Sequence, residues 1–135
     1  MRLVVGAVLV DSLERPTRVL AARRTRPAEL AGRWEFPGGK VEAGETPPQA
    51  LARELGEELA IEVAVGSELA APDGNAWPIS GAYELRLFYA VVVAGTPTPG
   101  ESHDQVRWLS YDQLDSVSWL ESDRAALGLV LTGHP

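Results

Sequence analysis

The segment TPPQALARELGEEL, residues 46–59, leaves the chain little conformational choice. Thr46 can cap a helix, Pro47 falls where a missing N–H costs nothing, and Gln49 can complete a capping box, so the spacing predicts a helix ending at about residue 59. Leu51, Leu55 and Leu59 then form one apolar stripe, which must bury against another layer. Glu54, Glu57 and Glu58 form an adjoining acidic stripe at the edge of that buried face. Arg53 is expected on a different side, unable to neutralise all three.

Like charges at this spacing repel by about a few tenths of a kcal/mol per pair on an exposed helix, and by more where water is excluded. The chain already carries a net charge of -7. Two readings stand: a solvated, merely unfavourable face, or a face whose repulsion a hard divalent cation such as Mg²⁺ or Mn²⁺ converts into coordination through oxygen ligands.

Around this helix the pattern is mostly strand. Arg2–Val10 and Thr17–Ala22 are β-branched and apolar runs separated by a polar segment, which reads as a hairpin. Arg33-Trp34-Glu35-Phe36 alternates briefly before Pro37-Gly38-Gly39 breaks any regular element. Ile61–Leu69, Ala82–Val93 and Val106–Leu109 read as further strands, with loops over Ala71–Gly81 and Gly95–Glu101. Ser110 to Gln113 resembles a second capping start, and Asp123–Leu131 has helical spacing after a Ser122 cap. The order implies an α/β fold with a mixed β-sheet covered by helices.

With 135 residues, 45% hydrophobic and 23% charged, the chain suits one domain over 1–135. The absence of cysteine removes disulfides, thiolate metal sites and cysteine nucleophiles, and a cytoplasmic address is expected. No apolar run approaches the roughly 20 residues of a membrane span. An isoelectric point near 4.8 disfavours binding to a nucleic acid polymer, yet local arginines or bound cations leave small anions open as ligands. The expected state is a monomer or homodimer.

The spacing around the glutamates also resembles a known family. Gly39, then Glu45 after five residues, then Arg53-Glu54-Leu55-Gly56-Glu57-Glu58-Leu59-Ala60-Ile61 after seven more, is similar to the Nudix box, G-x5-E-x7-R-E-U-x-E-E-x-G-U with U aliphatic. The one departure is Ala60 in place of the last glycine. That glycine suits a left-handed helix end, so Ala60 implies a cost on the order of 1 kcal/mol or a different exit.

The resemblance implies a Nudix-type α/β/α sandwich in which Glu54, Glu57, Glu58 and the Gly38 carbonyl hold Mg²⁺ or Mn²⁺. It implies Glu54 as general base and Glu45 with Arg53 as a structural ion pair. The segment LAARRTRPAELAGRWEFPGGK resembles the approach to the box in the MutT and CTP-pyrophosphatase branch, where the position matching Arg23 reaches substrate phosphates; a solvated strand-end arginine is the alternative. Phe36, sharing a strand face with Trp34, is expected either to stack on a base or to sit in the core. Arg86 is expected to touch base or phosphate, or else to face solvent.

The segment PGESHDQVRW holds Ser102 and His103 where this branch has an acidic residue followed by His. Glu101 and Asp104 flank the missing carboxylate, and Glu101 is preferred as an extra ligand or base over a merely polar loop. A lone His103 without a second histidine nearby does not suggest zinc. WLESDRAAL resembles the segment that reads the base, with Asp123 matching its Asn or Asp; a helix-start Asp favoured by the macrodipole is the alternative. Together these imply hydrolysis of a nucleoside triphosphate to monophosphate and pyrophosphate, with cytosine nucleotides (dCTP, CTP) or 8-oxo-dGTP as substrates and nucleotide-pool sanitation as the role. The competing expectations are a diphosphate-derivative hydrolase, on a compound such as ADP-ribose, a non-catalytic Nudix binding module, or a structural helix without metal.

Overall fold

The computed structural model describes residues 2–74, 76–79 and 83–132, so part of the expected Ala71–Gly81 loop and the first residue of the Ala82–Val93 strand lie outside the described residues. Its strands are β1 (Arg2–Leu9), β2 (Arg18–Arg24), β3 (Trp34–Glu35), β4 (Gly38–Lys40), β5 (Glu62–Leu69), β6 (Trp77–Pro78), β7 (Tyr83–Ala94) and β8 (His103–Ser110). The helices are α1 (Pro47–Leu59), α2 (Glu121–Arg124) and α3 (Leu127–Thr132), with a 3₁₀ turn at Tyr111–Ser116.

The strands form two sheets. The larger runs β4-β1-β7-β5, with β6 also on β7; the smaller runs β3-β2-β8. β1 and β7 are parallel from Arg2↔Tyr83 to Leu9↔Ala90, while the other pairings are antiparallel. The expected β1–β2 hairpin is therefore corrected: the two strands part into different sheets, and among the described residues their backbone pairing is limited to the isolated bridge Val10↔Val19 just past β1. Val5, Ala7, Val8 and Leu9 are buried, as are Val19 to Ala22, so each strand needs cover on both faces. A central place in a sheet satisfies that, and an exposed ribbon does not.

Helix α1 begins as its sequence predicts. Thr46 Oγ1 accepts from the Gln49 amide at 3.2 Å, and Gln49 Oε1 accepts from the Thr46 amide at 3.0 Å. Leu51, Leu55 and Leu59 pack on Val5, Ala7, Leu9, Phe88 and Ala90. Each fully buried leucine contributes about 1.5–3 kcal/mol. A second apolar layer joins Val8, Leu87 and Tyr89 to Trp119, Ala126, Leu127 and Val130. Helices thus cover the β layer from both sides, an α/β/α sandwich with a mixed sheet.

Two local expectations resolve differently. α1 exits through Ala60 in the left-handed region, at φ 58° and ψ 37°, so the alanine accepts the strained end instead of avoiding it. Ser122 is not a cap: α2 starts two residues earlier, at Glu121 after Leu120, and the expected continuous helix over Asp123–Leu131 is interrupted before α3.

Candidate active site

The turn into β4 brings backbone against the acidic stripe. A Cβ added at Gly39 would sit 2.4 Å from the Glu54 carboxyl carbon, and one at Gly38 would lie 1.9 Å from the Val5 carbonyl oxygen. Only glycine allows the chain to pass between β1 and α1 here. Gly38, Glu54 and Glu58 consequently share the wall of an open cavity of about 940 Å³.

Burial governs the acidity of two of the glutamates. It raises the Glu54 carboxyl, opposed by its hydrogen bond from Arg53. It pushes Glu58 up to about 7, with His103 pulling down and Glu54 and Glu35 adding repulsion. Glu58 Oε2 is buried without a hydrogen-bond partner. Glu57 is different: its side chain is 61% exposed and is absent from the cavity wall.

Arg53 reaches further than its position on the helix suggests. It binds Glu45 through two hydrogen bonds, Nε to Oε2 at 2.7 Å and Nη2 to Oε1 at 3.0 Å, which lowers the Glu45 carboxyl. The expected ion pair is present. The same guanidinium also contacts Glu54 at 3.0 Å and Glu57 at 3.3 Å, correcting the expectation that it points away from the stripe. Its long stem and planar fork let one cation serve several carboxylates. Glu58 has no such contact.

The remaining predicted residues divide. Asp123 and Phe36 both line the cavity, and Asp123 Oδ2 accepts the Phe36 amide at 3.1 Å. Phe36 is also core, its ring 4.9 Å from that of Trp119. Asp123 is only 4% exposed, and burial, reinforced by the nearby Glu35 charge, raises its carboxyl well above the usual carboxylate range. Burial thus favours the protonated carboxyl, a form that can donate as well as accept.

Arg23, Arg86 and Glu101 are not brought into the cavity. Arg23 pairs with Asp104 through Nε–Oδ1 at 2.8 Å and Nη2–Oδ2 at 3.1 Å. The residue that lines the cavity is Arg24. Successive strand residues face opposite ways, and the β2–β8 pairing shifts register between them, from Arg23↔Gln105 to Arg24↔His103. Leu85 lines the cavity; its neighbour Arg86 pairs instead with Glu68, Nε to Oε2 at 2.9 Å, and lies over Phe88. Glu101 is tied by its carbonyl to the Thr25 hydroxyl at 3.0 Å and leaves its side chain exposed.

Sequence reasoning missed Glu35 and Arg24, and with them the partner of His103. Glu35 lines the cavity beside Asp123; its Oε1 accepts from Arg24 Nη1 at 2.9 Å and its Oε2 meets His103 Nε2 at 2.7 Å. The alternation of Arg33-Trp34-Glu35-Phe36 gave Glu35 no role of its own. Its partners stand 11 and 68 positions away, a separation no local pattern reveals.

Among the described residues, no three acidic or histidine side chains already converge as a ready-made cation cage. The donors nonetheless suit a hard cation. They are carboxylate and carbonyl oxygens, and the desolvated Glu58 has an oxygen that no protein group satisfies.

Known proteins resemble this chain in sequence and in fold. Over 119 residues the chain is 44% identical to a Mycobacterium tuberculosis protein provisionally named 8-oxo-dGTP diphosphatase 2, covering 87% of this chain and 82% of that one. It is 48% identical over 64 residues to the CTP pyrophosphohydrolase of Escherichia coli strain K12, 47% of each chain. The solution structure of the E. coli ORF135 protein superposes with a TM-score of 0.75 at 34% identity, covering 98% of this chain and 89% of that one. A NUDIX domain matches residues 1–128, and on that extent of agreement the chain belongs to the Nudix hydrolase family.

Proposed function

We propose that the protein is a divalent-metal-dependent nucleoside triphosphate pyrophosphohydrolase, releasing a nucleoside monophosphate and pyrophosphate. Its substrates are cytosine nucleotides or 8-oxo-dGTP, its role is sanitation of the nucleotide pool, and its place is the cytoplasm. One observation carries this reading: a single cavity has on its wall both the acidic stripe, through Glu54 and Glu58, and the buried carboxyl of Asp123. Relatives named 8-oxo-dGTP diphosphatase and CTP pyrophosphohydrolase support the substrate class.

Nudix hydrolases generally need divalent cations. Here Glu54, Glu57, Glu58 and the Gly38 carbonyl would hold Mg²⁺ or Mn²⁺, which when bound neutralises phosphate charge and acidifies coordinated water. Arg24, Arg33 and Lys40 on the cavity wall add positive charge for the polyphosphate. Glu54 takes the proton of the attacking water; Arg53 occupies its Oε1 at 3.0 Å and leaves Oε2 uncontacted by that guanidinium. As water adds at phosphorus, the bond to the pyrophosphate group breaks and pyrophosphate leaves.

At the base, protonated Asp123 offers an O–H donor while Glu35 offers acceptor lone pairs. That pair complements a ring edge presenting an acceptor beside an amino group, as cytosine does. Phe36 supplies an apolar surface next to them. Exposed Glu101 has no part in this arrangement.

A panel of canonical and oxidised nucleoside triphosphates with Mg²⁺, scored by released pyrophosphate, tests the proposal. The expected result is at least roughly tenfold preference for a cytosine or oxidised purine nucleotide, with Asp123→Asn changing the ranking more than the best rate. Cleavage of ADP-ribose or a similar diphosphate derivative in place of every triphosphate would overturn it.

A further inference from the structure

His103 is a buried side chain that the proposed mechanism gives no part. It is 2% exposed, and its Nε2 stands 2.7 Å from Glu35 Oε2. A carboxylate oxygen only accepts, so Nε2 carries the proton and donates. Nδ1 is buried without a partner. The ring's one hydrogen bond is therefore spent on Glu35.

Glu35 in turn is gripped at both oxygens, by Arg24 at 2.9 Å on Oε1 and by His103 on Oε2. Each oxygen accepts one bond and retains capacity for another. The carboxylate is thus pinned in orientation while keeping lone pairs for a ligand in the cavity it lines. Arg24 also lines that cavity, and its side chain is 27% exposed, so a polyphosphate can compete for it. His103 is not on the cavity wall, so a ligand there does not compete directly for its ring. It arrives there because the register shift at Arg23/Arg24 sets His103 opposite Arg24.

We propose that His103 is a positioning residue for substrate selection: it holds Glu35 as a fixed acceptor for an amino-bearing ring edge of the bound nucleotide. This rests on the reading of the cavity as a nucleotide site. A histidine that merely filled the core would tolerate an apolar replacement of similar size and would leave the ranking of substrates unchanged. One that acts through Glu35 would lose its influence in Glu35→Gln, where the single amide oxygen goes to Arg24 and an NH2 group, itself a donor, faces Nε2.

The experiment is a double-mutant cycle on His103→Leu and Glu35→Gln, with His103→Gln as the conservative variant because its amide can donate in the place of Nε2. Steady-state constants on the preferred and a disfavoured triphosphate are paired with calorimetric binding of the product monophosphate in chelator. For the preferred triphosphate, His103→Leu should raise KM about tenfold with kcat within about twofold, and should flatten the substrate ranking. His103→Gln should restore most of the loss. In the Glu35→Gln background, His103→Leu should add less than about twofold, because the two act as one unit. Additive losses, or an unchanged ranking with only a lower Tm, would overturn the proposal.

If His103→Leu fails to fold, the His103→Gln and Glu35→Gln arms decide, together with the nitrogen chemical shifts of the His103 ring. Those shifts should report an Nε2–H that moves on Glu35→Gln; a ring indifferent to that change refutes the link. A wild-type protein that cleaves no triphosphate would instead refute the nucleotide reading, and the ring shifts would still decide whether His103 holds Glu35.

Discussion

At the scale of single residues, three similar carboxylates have three environments. Glu54 is desolvated and tethered by Arg53, Glu58 is desolvated and untethered, and Glu57 is exposed. Under the proposed metal site, Glu57→Gln and Glu58→Gln should each lower turnover by roughly 10²-fold or more with circular dichroism unchanged. Near-wild-type rates in both would remove the cation from this stripe. The box residues were legible because a helix converts spacing directly into a shared face. Arg24, Glu35 and His103 were not, because their meeting depends on a strand register that local sequence does not encode. For Asp123 the position was readable and the upward shift of its carboxyl was not, since that follows from burial beside Glu35.

At the scale of elements, α1 carries an identifiable defect. Ala60 occupies a left-handed conformation at φ 58°, which an L side chain enters at a cost of about 1–2 kcal/mol, offset in part by the greater chain entropy of an unfolded glycine. Ala60→Gly should therefore stabilise the protein by about 0.5–1 kcal/mol, a rise in Tm of a few degrees in a melting scan. A lower Tm would show that the alanine methyl makes compensating contacts. The capping box and the alignment of the α1 leucines into one stripe follow from the sequence because each is set by spacing within two or three turns. The separation of β1 from β2 does not: both strands read as hairpin arms, and only the demand for cover on both faces places them in different sheets.

Across the whole molecule, acidic desolvation links stability to pH. The Glu58 carboxyl has an ordinary value of 4.5 and is raised to about 7 in the fold, chiefly by burial. The folded state then holds its proton more tightly than the unfolded state, so this contribution is complete below about 4.5 and is lost as pH rises through about 7. Discounted for the water that still reaches the group, it amounts to about 2 kcal/mol. In chelator, Glu58→Gln should therefore melt higher relative to wild type at pH 8 than at pH 5. Parallel pH profiles for the two proteins would contradict that burial. Adding a divalent cation at about 100 times its Kd should return roughly 2.7 kcal/mol at pH 8 by mass action.

The amino-acid order alone determined the capped helix, the leucine stripe that must be buried, and the glutamates beside it. These are local consequences of helical period and side-chain chemistry, complete within a few turns. Tertiary structure decided which arginine faces the cavity, that burial raises the Asp123 carboxyl, and that His103 grips Glu35. Each of these depends on burial or on strand register, and both arise only when segments far apart in the chain pack together.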